Sequence, residues 1–534
     1  MKKVINYIAV LFAAIIILPA CVNDLNVDPI DPQVSQEFNQ DAVFNKIYAT
    51  MALTGQQGPA GNGDVDGIDE GTSAFYRLIW NLNEMPTDEV FCVWGDAGIP
   101  ELNGASWNAS LGMLAGVYGR LNFDITLVNH FLEQTNGKSD AKTMRQRSEA
   151  RFIRALNYYY MMDLFGNVPF ALQVSNKAPN QIKRGDLYAW LETELKDLEG
   201  GLYEDGAAPY YRIDKVANWL LLSRMYLNAE VYTGTANWTD AASYAKKVMD
   251  SSYGLASKYE YLFMADNDGS AVNDARKEII LPIAQDGIQT QNYGGSTFVI
   301  ASTRQNGMPA WGSESGWGGN RARKQLVMKF FNSKAEANAV HGVTADFQTA
   351  ASDDRAMFLS YCTYVDDKGL DKEIECTLES NDAFDFDGGF KITKFTNVRA
   401  DAGATSHVTF ADTDIPFMRK AEAYLIYAEA QLHLGQQGKA KDAIKVIRDR
   451  ANASELATVS FDDILNERAR EFYCEGMRRT DLIRFGRFGG VHSYKWEWKG
   501  GLFEGQDFDA HFNLYPIPQS DITANQNLEQ NPGY

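Results

Sequence analysis

The sequence predicts a mostly α-helical protein, built on degenerate tetratricopeptide-like helix-turn-helix repeats and interrupted by a loop-rich insertion that carries short strands. Three observations predict this class. Apolar residues recur at helical spacing in segments on both sides of the middle of the chain. Two of these segments share one plan of helix, Gly-containing turn and helix, with Ala and large aromatics at similar places, although the full repeat consensus is absent. Between about 254 and 411 that periodicity gives way to Gly, Asn, Asp and short β-branched runs.

The elements follow in chain order. Residues 1–20 read as a signal peptide: Lys2 and Lys3 are cationic, Val4 to Leu18 are almost wholly apolar, and Ala20 precedes Cys21. The apolar run is shorter than the roughly 20 residues that span a bilayer, and polar Asn23 and Asp24 follow at once. Cleavage leaves Cys21 as the acylated first residue of the mature chain. Residues 21–534 read as one body with loop insertions, because no Pro-rich, Ser-rich or like-charge run divides them. Loops are expected over 60–110, and helices over Leu114 to Gln134, Ala141 to Phe165 and Asp186 to Leu198. The first repeat pairs Asp214 to Glu230 with Thr239 to Met249. The second pairs Pro416 to Leu434 with Ala440 to Arg450. In the first, Ala217 and Ala229 share a pattern with Leu221, Met225 and Tyr226, and small residues let a neighbouring helix approach closely. STFVI and GGFKITKF, in the insertion, read as small strands. A last helix spans Phe461 to Glu475, with Ser460 and Asp463 as an N-cap pair and Gly476 ending it.

The formal charge of -20 becomes about -22 once Lys2 and Lys3 are cleaved, and a field of that sign repels phosphate backbones. Nucleic acid is excluded as a partner, and anionic lipid headgroups are disfavoured, which leaves the acyl chains on Cys21 as the membrane attachment. Cys92, Cys362, Cys376 and Cys474 show no C-x-x-C spacing and read as isolated buried thiols, with a Cys362–Cys376 disulfide as an alternative. The histidines at 130, 341, 407, 433, 492 and 511 form no i, i+3 or i, i+4 pair, so a transition-metal enzyme is unsupported. GSESG at 312–316 places Glu314 where a nucleophile elbow needs Ser. DVDGIDEG at 64–71 departs from the Asp spacing of a calcium loop. Among 70 acidic residues nothing selects a carboxylate pair for glycoside hydrolysis.

Aromatics in the apparent loops are more informative. Trp94 lies in FCVWGDAGIP, Tyr293 in QNYGGST, and Trp311 and Trp317 in GMPAWGSESGWGGN. A Gly-flanked Trp lacks the periodic apolar neighbours of a core Trp. Such a ring either stacks on the apolar C–H face of a sugar or pins its own loop.

Five blocks, in order along the chain, carry a family resemblance: CVNDLNVDPIDP after the signal peptide, NEMPTDE at 83–89, RFIRALNYYYMMDLFGNVPF at 151–170, AREFYCEGMRRTDLIRFGRF at 469–488, and the closing LYPIPQSDITANQNLEQNPGY. The chain resembles the SusD-like (SusD/RagB) surface glycan-binding lipoproteins of Bacteroidetes. GIDEGTSAFYR, LFMADND, NYGGST, DTDIP and KWEWKGG are similar to the starch-binding member of that family. The resemblance implies a tetratricopeptide-like helical scaffold, a loop-rich ligand module over roughly 254–411 plus the 60–110 loops, and no catalysis. It implies a SusC-like TonB-dependent transporter as partner, starch or maltooligosaccharide as ligand, and attachment to the outer membrane through the lipid anchor. Asp24 and Asp28 resemble the acidic export signals of surface lipoproteins in these bacteria.

By motif position, the resemblance implies an aromatic arc of Trp94, Tyr293 and Trp317, with Arg77 donating to sugar hydroxyls and Asp69 as an acidic contact. The loop WGDAGIP lacks the family's Asn, and Asp96 is the nearest polar substitute. Trp311 either extends the platform or anchors its loop. A structural Ca²⁺ is also implied, through Asp268 and Asp412 with Asp266 and Asp414 as neighbours, since hard carboxylate oxygens suit that ion. The alternatives are a binder of a different glycan, a membrane-tethered glycoside hydrolase, and a scaffold that binds protein alone.

Overall fold

The structure, a computed structural model, describes residues 37–378 and 380–534. The expected signal peptide, Cys21, Asp24 and Asp28 lie outside the described residues. No described helix is long and apolar enough to cross a membrane. Phe44–Tyr534 forms one compact unit.

Helices dominate, at Gln40–Ala52, Phe75–Glu84, Gly112–Gln134, Ala141–Phe165 and Arg184–Leu198, then the two repeats and Phe461–Phe472. Several starts are fixed by side chains that satisfy the orphan N–H groups of a first turn. The Asp140 carboxylate accepts from the Thr143 N–H at 3.0 Å, and that of Asp214 from Val216 and Ala217 at 2.9 and 3.1 Å. Ser460 and Asp463 form the expected reciprocal box: the Asp463 N–H donates to Ser460 Oγ at 3.1 Å, and the Ser460 N–H to Asp463 Oδ2 at 2.8 Å.

The repeat pairs are Lys215–Leu227 with Trp238–Met249, and Lys420–His433 with Gln437–Arg450. Trp238–Met249 also packs directly on Lys420–His433, so the two repeats are neighbours in space although the insertion separates them in sequence. Small side chains allow this approach. Ala241 and Ala245 are fully buried, and Ala421, Ala428, Ala440 and Ala443 share one core cluster with Leu425, Ile444 and Phe472.

Several expectations are corrected. Asp214 to Glu230 is two helices, Lys215–Leu227 and Ala229–Thr233, because Asn228 turns the backbone and its Nδ2 donates to the Arg224 carbonyl at 2.9 Å. The stretch from Pro416 is first a buried strand, Ile415–Arg419, antiparallel to Ile279–Ile283, and its register shifts between Ile415 and Met418, where Pro416 can donate nothing. The helix expected to reach Glu475 ends at Phe472, since Cys474 (φ 62°) and Gly476 (φ 77°) are left-handed, and two short helices, Arg478–Arg484 and Gln519–Ala524, follow it. Within 60–110, Phe75–Glu84 is a helix, driven by buried Phe75, Leu78, Ile79 and Leu82 at helical spacing.

The insertion holds short strands: Tyr361–Val365 pairs antiparallel with Asp371–Glu375, and Asn320–Ala322 with Val90–Cys92, which lies outside it. STFVI is not a strand. Ser296–Ala301 is a fully buried helix, so tertiary packing overrides β-branched propensity. Cys362 and Cys376 are both free and buried, and burial pushes the Cys376 thiol up to about 12.

Candidate functional site

The strand pair Val90–Cys92 and Asn320–Ala322 builds one side of the site. The Val93 N–H donates to the Gly319 carbonyl at 3.0 Å, which continues the ladder and places Trp94 beside the 317–319 loop. Gly319 has φ +101°, and a Cβ there would lie 2.1 Å from Trp94 Nε1, so the indole can cross the backbone only over glycine. Trp317 is seated by the end of the Ser296–Ala301 helix, whose Ala301 carbonyl accepts from the Trp317 N–H at 2.8 Å and from that of Gly318 at 3.1 Å.

Tyr293 stands just before that helix. Asn292 braces it, with Nδ2 donating to the Ala52 carbonyl and Oδ1 accepting from the Gly294 N–H, both at 2.7 Å. Gly294 is pressed against the 71–74 turn, where a Cβ would meet that of Ala74 at 2.1 Å. Phe410 backs the Tyr293 ring at 5.2 Å.

The three rings come together with Trp317 in the middle. Its centroid is 6.5 Å from Trp94 and 6.1 Å from Tyr293, with interplanar angles of 54° and 53°. All three are half-buried. Neither outer ring is coplanar with the central one, so the surface is faceted rather than flat.

Arg77 approaches from the helix Phe75–Glu84. Its Nη1 donates to the Tyr293 carbonyl at 3.2 Å, its guanidinium lies 4.4 Å over Phe298, and its Nε has no partner among the described residues. Burial lowers its pKa to about 10, against the opposing pull of Asp69, Cys92 and Asp96. Asp69 is exposed, and its Oδ2 accepts from the N–H and hydroxyl of Thr72 at 3.1 and 2.9 Å. Asp96 is exposed on the loop after Trp94. Phe298 was not among the expected residues, yet it is the floor of the site, edge-on to Trp94 at 6.5 Å and to buried Trp80 at 5.2 Å. Its signal was hidden because STFVI reads as a strand.

Trp311 does not extend the platform. It is 8% exposed, and its Nε1 donates to the Ser315 carbonyl at 3.0 Å, which makes it the anchor of its loop. Of the four acids named for Ca²⁺, two already accept hydrogen bonds on both carboxylate oxygens, and Asp414 keeps a buried Oδ2 with no partner among the described residues. Asp266 is already satisfied by Asn273, Ala400, Ser270 and Asp401, and both oxygens of Asp412 accept from Ser406. Asp414 is buried, with its pKa pushed up to about 8, and Asp268 is exposed. Among the described residues no three His, Cys, Asp or Glu side chains converge as a metal would require.

The arrangement suits stacking rather than bond cleavage. A glycosidase needs a general acid kept protonated by an apolar pocket, whereas Asp69 and Asp96 both face solvent. A separate cavity of about 440 Å³, lined by Tyr210, Tyr211, Arg212 and Arg276, includes none of the rings. An open row of rings is the geometry for a polymer that runs past both ends.

Comparison with known proteins agrees with the fold and the blocks. A family model described as the SusD family matches residues 277–534, and one described as starch-binding and associating with the outer membrane matches residues 104–227. The chain is 44% identical, over 99% of both chains, to the starch-binding protein SusD of Bacteroides thetaiotaomicron. It superposes on a SusD-like protein from Bacteroides fragilis with a TM-score of 0.68 at 19% identity, covering 95% of this chain and 100% of that one. On a laminarin-binding SusD-like protein the TM-score is 0.66 at 20% identity, covering 94% and 100%. This chain therefore belongs to the SusD family.

Proposed function

We propose that the protein binds starch and maltooligosaccharides without cleaving them. Trp94, Tyr293 and Trp317 stack on successive glucose faces, and Arg77, Asp69 and Asp96 make the polar contacts. The observation that carries this reading is the faceted arc, with each outer ring turned by just over 50° from the central one. An α-1,4-glucan coils, so its successive faces are tilted to one another, as each outer ring is to the central one, whereas a flat β-1,4 chain would meet only one or two. The 44% identity to a starch-binding protein supports the same ligand class. Fold likeness alone does not, since a laminarin binder shares the architecture.

Three ring contacts contribute about 1.5 to 4.5 kcal/mol by analogy with aromatic pairs. Hydrogen bonds from charged Arg77 add ~1.5 to 3 kcal/mol each. After association costs, the dissociation constant falls at about 0.01 to 1 mM. Binding of that strength suits capture and release. In this reading acylated Cys21 holds the chain on the outer face of the outer membrane, over a SusC-like TonB-dependent transporter that takes up the glycan.

Affinity electrophoresis in amylopectin tests the site. The wild type is retarded, and Trp94→Ala combined with Trp317→Ala migrates as in a gel without polysaccharide. Retardation that survives both substitutions would sink the assignment.

A further inference from the structure

The loop 382–388, reading DAFDFDG, inverts the usual pattern of a surface turn. Its two rings face solvent while two of its three acids are partly turned in: Phe384 is 65% and Phe386 43% exposed, Asp385 and Asp387 are half-buried, and Asp382 is exposed. The acids hold the loop in shape. Asp382 Oδ1 accepts from the Phe384 N–H at 2.8 Å, and Asp385 Oδ1 from that of Asp387 at 2.9 Å. Asp387 Oδ1 pairs with Lys391 Nζ at 2.8 Å and accepts from Gln305 Nε2 at 3.3 Å. Two phenyl rings are thus kept in water by a fixed frame instead of collapsing inward, which is the form a preorganised contact surface takes.

Their position is specific. A Cβ on Gly95, next to Trp94, would lie 3.9 Å from the Phe384 ring, and one on Gly318, next to Trp317, would lie 3.2 Å from the Phe386 ring. Phe384 and Trp94 also line one apolar cavity of about 190 Å³, together with Phe91, Pro100 and Trp498. The two rings therefore lie beside the backbone that carries Trp94 and Trp317, and Phe384 shares a cavity wall with Trp94.

We propose that Phe384 and Phe386 form a second aromatic platform that receives further glucosyl units of the chain held by the arc. This rests on the α-glucan reading. The occupant follows from continuity with the arc and from charge: acids framing the rings, in a chain of formal charge -20, disfavour an anionic lipid or acidic peptide, and a neutral polyhydroxylated chain with apolar ring faces matches both features.

Isothermal titration of Phe384→Ala/Phe386→Ala with maltotriose and maltoheptaose provides the test, with near-UV circular dichroism as the check on folding. The gain in affinity from the short to the long chain shrinks about tenfold relative to wild type, and Phe384→Trp/Phe386→Trp restores it. An unchanged gain, or an equal loss for both sugars, overturns the proposal. So does a variant that binds both sugars as wild type does but no longer associates with the transporter, which would make the patch a protein contact. If wild type binds neither sugar, the α-glucan reading itself fails before any variant is made.

Discussion

The ring arc and the interior beneath the helix Phe461–Phe472 are built from opposite chemistry. The arc is half-exposed, aromatic and carried by loops pinned with glycine. The interior is a fully buried mesh of charge. Glu471 receives Arg419 at 2.6 Å and Arg355 at 3.2 Å, as well as Arg450. Arg419 also pairs with Glu278 at 3.0 Å and Glu475 at 2.8 Å, and Arg355 with Glu467 and Asp353, both at 2.8 Å. A second cluster ties Arg478 to Asp88 at 2.6 Å and the Gly476 N–H to Glu84 at 2.6 Å. Glu471, Glu475, Gly476 and Arg478 come from AREFYCEGMRR, and Glu84 and Asp88 from NEMPTDE, so these two family blocks are scaffold. In the α-glucan reading ligand choice lies elsewhere, in loops that can change without touching the mesh.

The strongest way to break this division is to remove the shared carboxylate. Glu471→Ala leaves three guanidinium groups facing a buried gap, and losing one partner of a buried ion pair costs about 3–5 kcal/mol. Urea denaturation is expected to show that loss, while the fraction still folded binds amylopectin as wild type does. A variant that keeps its stability, or that loses binding while folded, would show that scaffold and site are not separable.

The mesh also titrates, with two opposing signs. Burial alone would raise the pKa of Glu467, but Arg355, Arg470 and Arg448 outweigh it and hold the group at about 2. Its contribution is complete above the ordinary carboxylate value and is lost as the pH falls toward 2. Glu84 behaves in reverse. Burial pushes it from 4.5 to about 7, so between those values the folded chain keeps a proton that the unfolded chain has released, and stability falls as the pH rises through that window. Glu84→Gln should make that decline shallower between pH 5 and pH 8, the remainder staying with Glu89, which burial beside Glu84 also raises. Urea midpoints at both values check this, and a variant with the wild-type slope would refute the assignment.

The two regions also differ in how far they can be read in advance. The helices and the Ser460 cap follow from local periodicity and cap chemistry, and Ala at the repeat contacts marks where helices meet. The arc rings stand out because a Gly-flanked Trp has no core rationale. The mesh gives no such signal, because its partners lie far apart in sequence, as Glu278, Asp353, Arg419 and Glu471 do, and a buried Arg looks in sequence like an exposed one. Phe298 and the break at Asn228 were missed for a related reason. Tertiary packing makes a helix of STFVI, and a side chain capping its own turn ends a helix whose apolar pattern runs on.

The smallest effect is expected at Asp96, and it bears on how loosely the loops are coupled to the rest. The residue is exposed, lies two positions after Trp94 and makes no side-chain hydrogen bond among the described residues, so Asp96→Ala should leave stability within about 0.5 kcal/mol of wild type. In the α-glucan reading its carboxylate accepts from one sugar hydroxyl in competition with water, which limits the loss of affinity for maltoheptaose to about 1 kcal/mol, less than tenfold. Isothermal titration distinguishes the outcomes. A loss well beyond tenfold would mean that Asp96 orders the loop that presents Trp94, and the site would then depend on its loops as tightly as the interior depends on Glu471. An unchanged affinity would leave Trp94 as that loop's whole contribution, making this the segment through which related chains could exchange one polar contact for another at little cost to the fold.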